Sequence, residues 1–492
     1  MKCLVIGIVT SLIGLSVVQA SDKVQPYLKQ QLEKSEQANV IVYFSARAKF
    51  EKSKAIAKRA DRIQSVVDEA RQVASSSQKN VLRYLKKQSL KHRSFFIENA
   101  IAVESANASQ VQWLATRPEV EAVRTDAKSK LNLPDVDPTE GLSPGLIEVP
   151  DHLELVGASK VWNELGVKGR GIVVAGQDTG YQWTHESIRN QYRGYRNGQV
   201  NHNYNWHDAI SADNRSCNGR ANAPCDDNGH GTHTMGTIVG YAGENNQIGV
   251  APESKWIGCR NMGQGIGTVS SYLECFQFFI APFVRGDLRG RTARADYAPH
   301  IINNSWSCPP SEGCTGGEFL DAVRALKAAG IFVVVSAGNE GPNCGSVQNP
   351  PAYYSGDVLS VGAYNRYQND AASFSSRGPS RFNGLLAPFV TAPGSGIRSA
   401  YIGSTNSRYR HLSGTSMAGP HVAGVVALIW SAIPELIGKV DETTLLLAKS
   451  AVPLKSRQSC GNYSGERVPN AVFGYGMANA YNAIKMMRSS SR

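Results

Sequence analysis

Four short segments hold side chains that together could cleave an acyl bond. Asp178 lies in Gln177-Asp178-Thr179-Gly180 and His230 in Asn228-Gly229-His230-Gly231-Thr232-His233. Asn339 lies in Ala337-Gly338-Asn339-Glu340-Gly341 and Ser416 in Gly414-Thr415-Ser416-Met417-Ala418. A serine hydroxyl attacks a carbonyl well only when a base takes its proton. A histidine serves as that base when a carboxylate fixes its tautomer, and an amide N–H can hold the oxyanion that forms. Each segment alone is weak: Asp-Thr-Gly and Asn-Glu-Gly are ordinary turns, and a serine at a helix start is often just a cap. The set, in the chain order Asp, His, Ser, points to a serine hydrolase. His233 lies three residues from His230. A zinc-binding helix wants a spacing of four with an intervening Glu, so His233 is expected to be structural.

The surrounding elements must hold these groups rigidly. Ile172-Val173-Val174-Ala175, Ile301-Ile302, residues 331–335 and residues 358–361 are apolar β-branched runs without alternation, and they are interleaved with helical segments. Such runs fit parallel strands buried on both faces. The expected fold is therefore a doubly covered, mostly parallel α/β sheet, in which sites collect at the carboxyl ends of the strands. Asp178 follows the first run, and Gly180 permits a turn away from it. Asn339 follows the third run. His230, between two glycines, opens a helix over residues 232–240, and Ser416 opens an apolar helix over residues 416–433, where free N–H groups favour a developing anion.

Ahead of this body the chain changes character. Residues 1–20 have the form of a secretory signal, with Lys2, an apolar stretch over residues 4–18 and Val18-Gln19-Ala20 at the cleavage end. Residues 21–130 suggest a small α+β domain. Val40-Ile41-Val42-Tyr43-Phe44 and Ala100-Ile101-Ala102-Val103 are strands, residues 54–91 a long charged helix, residues 108–115 a short helix, and Glu121-Ala122-Val123-Arg124 an edge strand. Residues 131–150 hold four prolines and two glycines and predict an exposed linker open to nicking. The main body is then residues 151–492.

The net charge of +12 is unevenly placed. Residues 21–130 carry 21 lysines and arginines against 12 aspartates and glutamates, a net of +9, and Lys2 adds +1, which leaves +2 for residues 131–492. The basicity therefore argues for no nucleic-acid or membrane partner of the body, and its nearest candidate partner is the rest of this chain. Eight cysteines lie beyond Cys3, an even number that favours disulfides in an exported chain. Short loops favour Cys217–Cys225 and Cys308–Cys314, while the remaining pairing stays open and no zinc-type spacing occurs.

At the four sites the chain resembles the subtilisin-like serine proteases. The resemblance rests on His-Gly-Thr-His, Gly-Asn-Glu-Gly and Gly-Thr-Ser-Met-Ala-Gly-Pro-His-Val-Ala-Gly. Asn201-His202-Asn203-Tyr204-Asn205-Trp206, Asn303-Asn304-Ser305-Trp306 and Cys259-Arg260-Asn261-Met262 look most like the bacillopeptidase F branch. The resemblance implies a triad of Asp178, His230 and Ser416, with Asn339 as oxyanion donor. It implies that Ser305, Trp306 and Ser307 bind the substrate backbone as an extended strand, and that Ser336, Ala337 and Gly338 line the pocket before the scissile bond. It also implies that residues 21–130 are an inhibitory propeptide, removed autocatalytically by a cut between about Asp126 and Ile147. The expected product is a secreted, extracellular and monomeric serine endopeptidase acting on proteins or peptides and requiring no cofactor. Structural calcium is possible. Residues 241–247 place Gly243 where a calcium ligand would be wanted, and Asp226 and Asp227 offer carboxylates in what is expected to be a solvated loop. Sequons stand at Asn107, Asn214, Asn303 and Asn462.

Overall fold

The computed structural model describes residues 20–134, 150–210, 217, 222–287 and 290–490. The expected signal, most of the expected linker and the sequon at Asn214 fall outside them. The body is built on one large sheet. Its strands run in the order Asp370–Ala371, Leu359–Asn365, Phe332–Ser336, Ile301–Asn304, Val173–Asp178, Lys255–Arg260 and Trp206–Asp208, with Val390–Pro393 also beside Leu359–Asn365. All these pairs are parallel except Leu359–Asn365 with Asp370–Ala371. Because both faces are covered, the central strands are buried throughout: Val334, Val335, Ile301 and Ile302 expose nothing. One face packs on the helices His230–Val239 and Thr415–Ala432, and the other on Val269–Ile280 and Leu320–Ala328. This is the expected α/β architecture.

Residues 37–125 form a four-stranded antiparallel sheet in the order His92–Phe95, Ala100–Asn107, Gln37–Phe44, Val120–Thr125. Period-two alternation gives this sheet two apolar faces. Val40, Val42, Ile101 and Val123 pack with Val81, Leu85, Val111 and Leu114. Ile41, Tyr43, Ala100 and Ala102 belong instead to the same buried cluster as Phe276, Trp306 and Phe319 of the body. The short helix expected over residues 108–115 is present as Ala108–Ala115 and starts in a capping box, Asn107 with Gln110.

The long helix expected over residues 54–91 is divided. The structure has Glu51–Lys54, Arg59–Ser77 and Lys79–Lys87, followed by the strand His92–Phe95. At the break the hydroxyls of Ser76 and Ser77 bond back to the carbonyl of Val73, and the buried Gln78 turns inward to donate to Asn99 Oδ1 at 3.0 Å. Side-chain bonds that compete with the helical ladder bend helices at such points.

Four disulfides close loops in the body: Cys217–Cys225, Cys259–Cys275, Cys308–Cys314 and Cys344–Cys460. The first and third are the local bridges that loop length favoured.

Candidate active site

Asp178 is the last residue of its strand and is buried. Its Oδ1 accepts from the Thr179 N–H and from His230 Nδ1, each at 2.7 Å. His230 is the first residue of the helix His230–Val239, entered through Gly229 at φ +97°, where an added Cβ would lie 2.6 Å from the Tyr401 ring. Only glycine fits both that backbone and that space. The ring's Nε2 is buried and has no hydrogen-bond partner among the described residues. His233 turns the other way and bonds through Nε2 to the carbonyls of Ile397 and Arg410, and burial lowers its pKa to about 3. It is a structural residue.

Ser416 is the second residue of the helix Thr415–Ala432. Pro420 lies within this helix and has no N–H to return to the carbonyl four residues earlier, which is that of Ser416. Ser305 fills the gap: its hydroxyl donates to the Ser416 carbonyl at 3.1 Å, and its own carbonyl accepts from Ser416 Oγ at 3.2 Å. Ser305 is thus tied to both the backbone and the side chain of Ser416. Asn339 is held as firmly. Its Oδ1 accepts from the Thr415 N–H and from Thr415 Oγ1, both at 2.9 Å, which leaves Nδ2 aimed outward. Nδ2 donates at 2.9 Å to the carbonyl of Asn132.

Residues 128–132 therefore cross the site. Lys128–Lys130 pairs antiparallel with Ile266–Thr268, the Leu131 N–H donates to the Gly265 carbonyl at 2.8 Å, and the Ser129 hydroxyl donates to the Ser307 carbonyl. Beneath this segment the Trp306 indole is buried and stacks on Tyr272, with centroids 3.8 Å apart. Ser336 ends the strand Phe332–Ser336. The Ala337 N–H bonds to the Val361 carbonyl, and the Gly338 N–H to Thr415 Oγ1 at 3.3 Å.

Two features were missed from sequence. One is the strand Ile266–Thr268, concealed by the glycine-rich Gly263-Gln264-Gly265-Ile266-Gly267. The other is Asp226, expected in a solvated loop. It is instead half-buried, and its carboxylate accepts five hydrogen bonds, from Thr179 Oγ1, the N–H groups of Asn228, Gly229 and Thr232, and Thr232 Oγ1. Its neighbour Asp227 pairs with Arg260 at 3.2 Å, and burial raises its pKa. Both carboxylates are already committed within the fold. The loop at residues 241–247 closes on itself through the Ala242 N–H to the Asn246 carbonyl. Among the described residues no group of three or more His, Cys, Asp or Glu side chains is gathered as for a metal ion.

The amino-terminal region docks on the opposite helices by their ends. Glu98 Oε2 accepts from the Ala322 N–H in the first turn of Leu320–Ala328, and Arg62 Nε donates at 2.6 Å to the Ala328 carbonyl at its last. Asp126 accepts from the Ser270 N–H and hydroxyl at the start of Val269–Ile280. Carboxyl oxygens that accept the free N–H groups at the helix starts, and a cation that donates to a carbonyl at a helix end, match the helix polarity. Burial raises the pKa of Glu98 and of Asp126. Arg93 pairs with Glu274, whose other oxygen lies 2.6 Å from His207 Nε2.

Residues 169–476 match the subtilase family, peptidase S8. The chain belongs to this family of serine endopeptidases. It is 33% identical over 503 residues to bacillopeptidase F of Bacillus subtilis, covering 95% of this chain and 33% of that protein. It is 32% identical over 286 residues to an intracellular serine protease of Paenibacillus polymyxa, covering 57% of this chain and 73% of the relative. This subtilase chain thus spans about a third of the length of bacillopeptidase F. Its fold is also that of fervidolysin from Fervidobacterium pennivorans, described as a keratinolytic enzyme related to subtilisin. The TM-score is 0.60 at 20% identity, over 91% of this chain and 61% of that one.

Proposed function

We propose that this subtilase is a secreted serine endopeptidase made as a zymogen. Residues 1–20 are its signal, 21–130 its inhibitory propeptide, 131–150 the linker at the processing site and 151–492 the peptidase. The observation that carries the catalytic assignment is the pairing of His230 Nδ1 with Asp178 at 2.7 Å, with Asn339 locked by Thr415, the residue before Ser416. Asp178 holds the Nδ1–H tautomer, so that Nε2 is free to take the Ser416 proton as Oγ attacks the scissile carbonyl carbon. Asn339 Nδ2, with the N–H groups at the helix start, carries the charge on the tetrahedral oxygen. His230 then gives its proton to the leaving amine, and water, activated by the same ring, releases the acyl group. Ser305, Trp306 and Ser307 bind the substrate strand, and Ser336, Ala337 and Gly338 line the pocket before the cut.

The inhibitory reading of residues 21–130 is supported by their end-on grip of two peptidase helices and by the segment laid over the site. The catalysis calls on no cofactor, and the natural substrates are proteins or peptides. A fluorophosphonate probe should label the wild-type protein at Ser416 and leave a Ser416→Ala variant unlabelled. That variant should accumulate as uncut precursor. A folded, processed protein that takes no label would end the enzyme reading, and normal maturation of Ser416→Ala would mean that another protease does the cutting.

A further inference from the structure

The segment over the site also names the bond to be cut and one residue that substrates must carry, an inference that rests on the peptidase reading above. Side chains alternate along it: Lys128 and Lys130 are exposed, and Ser129 is 1% exposed. Asn339 Nδ2 meets the Asn132 carbonyl at 2.9 Å, so this carbonyl lies where the oxyanion donor acts. Beyond it the chain passes Gly414, where a Cβ would lie 3.5 Å from Pro134 Cδ.

Three residues before Asn132, Ser129 enters a pocket that is already full. Trp306 stacks on Tyr272 at an interplanar angle of 21°, and Phe319 meets the two rings edge-on at 5.3 and 5.7 Å. The Tyr272 hydroxyl reaches up to Gly267, the strand partner of Ser129, where a Cβ would lie 2.7 Å from that oxygen. The collar is polar: the Ser129 hydroxyl donates to the Ser307 carbonyl, and the Glu312 carboxyl accepts from the neighbouring Lys130 N–H at 2.9 Å.

We propose that Asn132–Leu133 is the processing bond, and that Trp306 and Tyr272 close the pocket for the residue three positions earlier, so that substrates carry serine or threonine there. Ser416 Oγ bonds to the Asn132 carbonyl carbon, and the bond from that carbon to the Leu133 nitrogen breaks. The nitrogen leaves as an amine with the proton from His230, and water converts the ester to the Asn132 carboxylate and regenerates the Ser416 hydroxyl.

The test uses enzyme matured from the full chain and the peptide Lys-Ser-Lys-Leu-Asn-Leu-Pro-Asp, which is residues 128–135. Mass spectrometry should find the cut between Asn and Leu. Alanine for the serine loses one buried hydrogen bond and should lower kcat/KM about fivefold. Phenylalanine there overfills the pocket and should lower it about a hundredfold. In the enzyme, Trp306→Leu should raise the phenylalanine peptide at least about tenfold relative to the serine peptide. Should that variant not fold, Tyr272→Leu opens the same stack from its other ring and should likewise raise the phenylalanine peptide relative to the serine peptide. A cut at another bond, or phenylalanine and serine peptides hydrolysed at similar rates by enzyme whose active sites were counted by fluorophosphonate titration of a separate portion, overturns the inference alone. An enzyme that neither takes the label nor cuts any peptide overturns the peptidase reading and this inference with it.

Discussion

Asp226 offers a sharp test of how the site is held together, because it touches neither substrate nor nucleophile. Its Oδ1 accepts from Thr179 Oγ1 at 2.8 Å and from the N–H groups of Asn228 and Gly229 at 3.0 and 2.8 Å. Its Oδ2 accepts from the Thr232 N–H and hydroxyl at 3.0 and 2.7 Å. Thr179 Oγ1 in turn accepts from the Gly231 N–H at 3.0 Å, and the Thr179 N–H bonds Asp178. One carboxylate therefore joins the strand end that carries Asp178 to the helix start that carries His230. In Asp226→Asn one oxygen becomes an NH₂ group. If that group faces Thr232, the threonine hydroxyl can turn, but the backbone N–H cannot and is left unbonded. Losing one charge-assisted bond costs about 1.5–3 kcal/mol, and losing a negative charge at a helix start about 0.3–1 kcal/mol, so the total is about 3 kcal/mol. A displacement of the imidazole by about 1 Å costs about a hundredfold in rate. Asp226→Asn should therefore lower kcat by about 10²-fold with little change in KM, measured on enzyme counted by fluorophosphonate titration. In a Ser416→Ala background, which prevents self-digestion, it should also lose about 3 kcal/mol in urea unfolding. A kcat within twofold of wild type with an unchanged unfolding midpoint would refute the reasoning.

Asn339→Leu should lower kcat about 10²–10³-fold at unchanged KM, a range that comes from a subtilisin. Thr415→Val keeps the backbone donor but removes the hydroxyl donor to Asn339 Oδ1, and should cost about tenfold in the same assay. Arg62→Ala removes the donor to the Ala328 carbonyl. It should weaken the hold of the amino-terminal region by about 1–2 kcal/mol, read as a shorter lag before activity appears in maturing precursor. Acid should destabilise the fold. Burial lowers His233 to about 3 and His421 to about 4 from 6.5, so protons bind the unfolded chain first. The stability these two residues contribute is whole above about 6.5 and is lost as the pH falls toward 3–4. The slope is about 1.4 kcal/mol per unit for each, measured by thermal unfolding of Ser416→Ala between pH 7 and 4.

The parts of the fold that were legible are those written in local pattern. Apolar β-branched runs such as residues 331–335 fit strands buried on both faces, and the catalytic-type residues stood at the strand ends and helix starts where they are found. What stayed hidden depends on contacts distant in sequence. The break at Gln78 follows from a side chain that turns inward to Asn99, 21 residues away. Asp226 looked like one of two acidic loop residues, since nothing local says that its partners lie at Thr179 and Thr232. Ser305 was expected at the substrate strand. That it also supplies the bond Pro420 withholds from Ser416 required both segments to be seen together. The strand Ile266–Thr268 escaped because glycine weakens any strand pattern, yet a Cβ at Gly267 would collide with the Tyr272 hydroxyl.

The uneven charge has its explanation in the same long-range contacts. A segment of net +9 docked on a body of +2 is not held by opposed fields, because the body is not acidic. Its arginines are spent on backbone carbonyls instead. Arg59 donates to Ala298 and Pro299, Arg62 to Ala328 and Gly438, Arg71 to Gly290, and Arg124 to Gly316. Carboxylate partners are fewer: Asp321 for Arg47, Glu274 for Arg93 and Glu318 for Arg124. A guanidinium presents five donors and no acceptor, so it suits a surface rich in helix C-termini and turn carbonyls. Such bonds act at contact distance and depend on direction rather than on net charge.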